Sequence, residues 1–187
     1  MGLANSEEEI TQEEKFVNDF GSKLYKQRRE KYYEELVFLC IGTDKITGDC
    51  FGPLVGTKLI EYLKEYNIFN INIYGDLENP INYENINEKI NIVNKYHHNA
   101  CIVVIDAALS KKENIGNIYV SNEKTVLGSV LNKKKYGIGD ISIKAVVGRD
   151  FKIPKYNFLT LQNISLNMVM KLANIVSEGI CDVIKYG

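Results

Sequence analysis

Two short apolar runs, residues 36–41 (LVFLCI) and 101–105 (CIVVI), constrain this chain more than any other feature. Neither shows the alternation of a half-solvated strand, so both read as strands covered on two faces, the pattern of a parallel sheet held between helices. After the first, the chain passes through a loop rich in Gly, Thr and Asp and restarts at Pro53 as a helix, where proline's missing N–H is no loss. Asp106 stands immediately after the second. If both runs lie in one parallel sheet, Asp49 and Asp106 emerge at its carboxyl edge, in the crevice where open α/β sheets bind ligands.

The rest of the chain alternates helices and strands as such a sheet requires. Residues 11–33 are helical in pattern, with Phe16, Phe20, Leu24 and Tyr25 on one face and Thr11 and Glu14 spaced as a capping box. A helix over 54–66, a strand over 69–74 and a loop over 75–80 follow, then a helix from Asn82 or Tyr83 that ends near His97 and His98. Beyond Asp106 come short β-like runs at 117–120 and 125–131, a loop at 132–140, and an alternating, more exposed strand at 141–147. One long amphipathic helix, roughly 159–184, closes the chain with an apolar face broad enough for a core or an oligomer contact. The expectation is an α/β protein, a three-layer α/β/α sandwich: a single domain over 11–187 behind a flexible N-terminus at 1–10.

A chain of 187 residues, 45% of them apolar, suits one core of that size. The balance of 23 basic against 24 acidic residues argues against a broad nucleic-acid surface and points to a small molecule or a protein as partner. No apolar stretch is long enough to span a bilayer and no signal-peptide pattern occurs, so a soluble cytoplasmic protein is expected; the opening MGLANS matches a myristoylation signal only formally. Cys40, Cys50, Cys101 and Cys181 form no C-x-x-C and read as small buried hydrophobes, with Cys50, next to Asp49, the one candidate nucleophile. His97 and His98 precede the second strand, at the amino edge, and read as surface residues at a helix end. GPLVGTK at 52–58 is one residue short of a P-loop, 137–139 lacks the third glycine of a dinucleotide fingerprint, and no G-x-S-x-G elbow occurs.

Two neighbouring carboxylates can be driven to different pKa values, one ionised as base and the other protonated as acid, as water attack on a peptide bond requires. Loop aspartates also cap helices and close Asx-turns, and spacing alone does not decide between these roles. The strings CIGTD at 40–44, TGD at 47–49, GPLVGT at 52–57, GDLENP at 75–80, IDAAL at 105–109 and GIGDIS at 137–142 together carry a resemblance. They resemble the sporulation protein YyaC family, a relative of the germination protease that degrades small acid-soluble spore proteins and, more distantly, of the hydrogenase-maturation endopeptidases.

The resemblance covers nearly everything after the first helix and implies the phosphorylase/hydrolase-like α/β/α fold. It also implies a metal-independent aspartic mechanism without a cofactor, because the aspartates of the germination protease's D-x-x-G-P and I-D-A-L segments correspond to Asp49 and Asp106. The activating pro-segment has no recognisable counterpart. No histidine follows His98, so the nickel-holding set of two carboxylates and a histidine does not carry over. The expected function is thus a spore-related endopeptidase acting on a small protein or peptide, with small acid-soluble spore proteins as candidates. Asp49 and Asp106 would share the acid and base roles, Asp44 and Asp140 would orient water or bind substrate, and backbone N–H groups near Gly52 would stabilise an oxyanion. The alternative is a non-catalytic sporulation-associated binding or regulatory protein that keeps the fold. Neither nucleic acid nor membrane is expected as partner, and a homo-oligomer is allowed.

Overall fold

The computed structural model describes residues 10–66, 68, 70–126 and 137–186. The N-terminal tail and its myristoylation match at 1–9, the first residue of the 69–74 strand, and positions 127–136 of the expected run and loop lie outside the described residues. Helix α1 (Gln12–Glu30) starts with the capping box: Thr11 Oγ1 accepts from the Glu14 N–H at 3.2 Å, and Glu14 Oε2 accepts from the Thr11 N–H at 2.9 Å. Two orphan donors of the first turn are thereby satisfied. Phe16, Phe20 and Leu24, spaced by four, form the buried stripe of α1.

The chain continues through β1 (Glu35–Cys40), α2 (Phe51–Tyr66), β2 (Ile71–Tyr74), α3 (Ile86–Tyr96) and β3 (Ala100–Ser110). Then follow β4 (Ile118–Ser121), β5 (Thr125–Val126), β6 (Gly137–Ile138), β7 (Ile141–Arg149), α4 (Pro154–Gln162) and α5 (Leu166–Tyr186). The main sheet has the order β2-β1-β3-β7-β4, in which β2, β1, β3 and β7 are parallel and β4 runs antiparallel at the edge. A separate ribbon pairs β5 with β6.

Side chains of β1 alternate between two layers, as a pleated strand demands. Leu36, Phe38 and Cys40 pack with Phe51, Val55 and Leu59 of α2, with α5 and with the stripe of α1. Val37, Leu39 and Ile41 pack with Ile86 and Val93 of α3. The sheet therefore has helices on both faces, in the expected three-layer arrangement. From β1 the chain leaves through α2 to β2 on one side and returns through α3 to β3 on the other. The gap beyond the carboxyl ends of β1 and β3 is thus a topological switch point.

Several boundaries differ from the sequence reading: α1 ends at Glu30, short of the expected 33, and α3 begins at Ile86, past the expected Asn82 or Tyr83. Strand β3 runs on through Asp106 to Ser110, because β7 is long enough to pair with it as far as Arg149, with a bulge after Ala108. Helix α2 begins at Phe51 and follows a 3₁₀ turn, Thr47–Cys50, so Pro53 lies inside its first turn. The closing helix is two helices. Asn163 Nδ2 donates back to Leu159 O at 2.7 Å and ends α4, and Ser165 O accepts the N–H groups of Met168 and Val169 and opens α5.

His97 is also placed differently. It is not a free surface residue at the helix end: its side chain is only 10% exposed, and Nδ1 lies 2.9 Å from Glu35 Oε1. Its Nε2 lies 2.7 Å from Tyr74 Oη, while Asn72 Nδ2 donates to Glu35 Oε2 at 2.7 Å. This cluster ties the end of α3 to β1 and β2. His97→Ala would leave Glu35 and Tyr74 without their shared partner, at an expected cost of about 1–3 kcal/mol in urea unfolding. His98→Ala, at an exposed position, is expected to change stability by less than about 0.5 kcal/mol.

Candidate active site

The loop after β1 doubles back on the strand that launches it. Gly42, at φ +146°, turns the chain, the Thr43 N–H donates to Asp49 O at 3.1 Å, and the Asp49 N–H donates to Ile46 O at 2.9 Å. Asp49 is thereby returned to the end of β1. A methyl group at Gly42 would overlap Asp49 O and stand 2.9 Å from Pro53 Cδ, so only glycine admits this closure. On the other side of the turn, Gly48 lies against Leu161 and Ile164 at the end of α4. Gly52 is buried with its Cα over the backbone of Ile41, and a Cβ there would overlap Ile41 O. That contact seats α2 on β1, so Gly52 also has a packing role.

Asp106 reaches the same region from β3. It lies within the strand, half-buried, on the face shared with Ile102 and Val104, and in parallel register with Lys144 of β7. Burial first, and then the negative charge of Asp49, push the Asp106 carboxyl up to about 7. The Lys144 ammonium and a hydrogen bond from the backbone at Ala107 oppose the rise. Burial raises the Asp49 carboxyl as well. The structure therefore brings Asp49 and Asp106 into one electrostatic neighbourhood at the switch point, with a lysine beside the second.

Asp44 and Asp140 are placed differently from each other. Asp44 is exposed on the rim of the same loop, where its charge reaches Cys50. Asp140 lies at the opposite edge. Its Oδ2 accepts from the Ile102 N–H at 2.9 Å, its own N–H donates to Ile102 O at 2.7 Å, and its carbonyl accepts from Gln27 Nε2 at 3.2 Å. Ile102 precedes Asp106 by four residues of strand, roughly 13 Å. Asp140 pins the start of β7 to β3 and α1, and the role expected of it at the substrate is corrected to a structural one.

A family described as "Protein of unknown function (DUF1256)" matches residues 8–179. The chain belongs to this family. It is 31% identical over 184 residues to "Uncharacterized protein YyaC" of Bacillus subtilis (strain 168), an alignment that covers 96% of this chain and 86% of that one. Among solved structures it is similar to a NiFe-hydrogenase maturation protease, HycI from Thermococcus kodakarensis KOD1. The TM-score is 0.52 and the identity 18%, with 81% of this chain and 92% of the protease covered. At that identity the likeness establishes a shared fold, a parallel-dominant sheet flanked by helices.

Within this DUF1256 chain, Cys50 is not poised as a nucleophile. Its side chain is buried, Sγ donates to Thr47 O at 3.0 Å, and burial, together with the charges of Asp49 and Asp44, raises the thiol. Among the described residues no three His, Cys, Asp or Glu side chains converge as a metal-holding group. His97, held by Glu35 and Tyr74 at the amino edge, brings no third ligand to Asp49 and Asp106.

One residue beside the candidate pair escaped the sequence reading. Lys144 passed as a solvent-facing position of an alternating strand, whereas it is partly buried and in register with Asp106. The signal for it was the pairing of β7 with β3, which no local pattern carries.

Proposed function

We propose that the chain is a peptide-bond hydrolase, a spore-related endopeptidase of the germination-protease type, in which Asp49 and Asp106 form the acid–base pair. The observation that carries this reading is the placement of two half-buried carboxyls, Asp49 and Asp106, at the switch point, where burial and the Asp49 charge raise the Asp106 carboxyl. Membership in the family and the likeness to a maturation protease support it at the level of fold.

With its carboxyl pushed up to about 7, Asp106 still holds a proton in about half of the molecules at neutral pH, and in that fraction it serves as the acid. Asp49, ionised, takes a proton from water as the water oxygen bonds to the substrate carbonyl carbon and the carbonyl electron pair moves onto oxygen. The tetrahedral species collapses when Asp106 gives its proton to the departing nitrogen and the C–N bond breaks. Asp106 is then an anion, steadied by the Lys144 ammonium, until the proton on Asp49 returns to it. The products are a carboxylate and an amine, and the pair is back at its starting protonation after proton exchange with solvent. Small proteins and unstructured peptides, small acid-soluble spore proteins first among them, are the proposed substrates.

The test is cleavage of those proteins and of an unfolded polypeptide, with new termini read by mass spectrometry, for wild type and Asp49→Asn. Loss of about 10²–10⁴-fold in the variant is expected, and equal cleavage by both would reject the assignment. The rate of the wild type is expected to fall as pH rises through about 7, where Asp106 loses its proton. Because Lys144 holds that carboxyl down, Lys144→Met should move the fall to higher pH. A purely structural loss would scale the profile without displacing it.

A further inference from the structure

Helix α4 carries large apolar side chains toward water. None of its nine residues is buried, and Tyr156, Phe158 and Leu159, with Phe151 and Ile153 on the approach to the helix, are 42% to 52% exposed. Such a concentration of apolar surface marks an interaction site more often than scattered exposure does. The side chains at its start touch one another: the rings of Phe151 and Tyr156 meet edge-on with centroids 6.3 Å apart, and the Arg149 guanidinium lies 4.8 Å above Phe151. The inner side of α4 is fastened to the candidate active site, since Leu161 rests on Gly48, the neighbour of Asp49.

Charge narrows the choice of occupant. Along α4 and its approach, from residue 149 to residue 162, the chain carries Arg149, Lys152 and Lys155 against a single acidic residue, Asp150. That carboxylate is already engaged by Lys152 and by Asn157 Nδ2. A second copy docked through the same face about a two-fold axis would set this positive rim against itself. A segment with carboxylates among apolar side chains would satisfy both the rim and the exposed rings.

We propose that α4 is the docking surface for an acidic, apolar segment of a polypeptide partner, which the peptidase reading above makes the substrate held beside Asp49. Occupied this way, α4 anchors one stretch of the partner while the neighbouring stretch crosses the switch point. Docking itself needs only the apolar side chains and the lysines, so it is separable from cleavage.

The probes are two fluorescein-labelled 16-residue peptides, one of Leu, Phe, Gly and Glu and the other with every Glu replaced by Lys, titrated into the full chain by fluorescence anisotropy. The acidic peptide is expected to bind at least tenfold more tightly, and to weaken at least tenfold in 0.5 M salt and in the Phe158→Ser, Leu159→Ser double variant. Since both side chains are half exposed, that variant should keep the wild-type unfolding temperature. Lys152→Glu with Lys155→Glu should reverse the preference between the peptides. Equal binding of the two peptides, no binding of the acidic one, or insensitivity to the α4 variants would overturn the proposal. So would a dimer in sedimentation that Phe158→Ser dissolves. If the α4 variants bind and cleave like wild type, docking falls and the peptidase reading stands. If the acidic peptide binds through α4 but neither it nor any protein substrate is cut, docking stands and the peptidase reading falls.

Discussion

Asp106→Asn is expected to abolish cleavage, by roughly 10²–10⁴-fold, and at the same time to make the folded chain more stable above neutral pH. Both effects follow from one cause. The carboxyl sits at about 7 in the folded chain against an ordinary 3.8, so between about pH 4 and 7 the folded state holds a proton that the unfolded state has released. Stability therefore falls as pH rises through that window and stays low above it. A carboxamide has no charge to bury and removes this fall. The whole span corresponds to roughly 4 kcal/mol, and because Asp106 is only half-buried the expected gain at pH 8 is about 1–2 kcal/mol, or roughly 2–8 °C in unfolding temperature. At pH 4 the two proteins should unfold alike. Urea denaturation at both pH values checks this. A wild type equally stable at pH 5 and pH 8 would remove the raised carboxyl, and an active Asp106→Asn would remove its role. A group that costs the fold stability while supplying an acid at neutral pH is what a trade between stability and activity predicts.

The parts of this arrangement that could be read from the sequence are those set by local pattern. The apolar runs at 36–41 and 101–105 announced buried parallel strands, and the position of an aspartate after each was enough to bring Asp49 and Asp106 to one edge. What escaped depends on contacts between distant segments. Lys144 became a neighbour of Asp106 only through the β3–β7 register, and the same pairing drew residues 106–110 out of a loop and into a strand. Asp140 was misplaced because it immediately precedes a strand, and in a parallel sheet the residue before a strand lies at the amino edge, away from the crevice. His97 looked like a helix-end surface residue until Glu35 and Tyr74, from two other strands, were seen to close on it. The break at 163–165 was hidden for a different reason: the apolar residues of α4 continue the pattern of α5, although Tyr156, Phe158 and Leu159 of α4 face water.

Gly42→Ala is expected to be the most damaging single methyl group in the chain's candidate site, costing about 3–5 kcal/mol. Two costs combine. The backbone at φ +146° is one that L side chains rarely adopt, and the added carbon would occupy the position of Asp49 O, which closes the loop through the Thr43 N–H. The loop can relieve the overlap only by opening, and opening carries Asp49 away from Asp106. Gly116→Ala separates the two contributions, because Gly116 also has a positive φ, of +94°, but nothing lies within 4 Å of the carbon it would gain. That variant should lose about 1–2 kcal/mol from backbone strain alone and keep its cleavage activity. Gly42→Ala should also lower the pH at which activity falls, since moving the Asp49 charge away removes one of the influences that raise Asp106. Equal unfolding free energies for the two alanine variants would show that the close approach of Asp49 O to Gly42 contributes nothing. An unshifted pH profile in Gly42→Ala would show that the loop does not set the distance between the carboxyls.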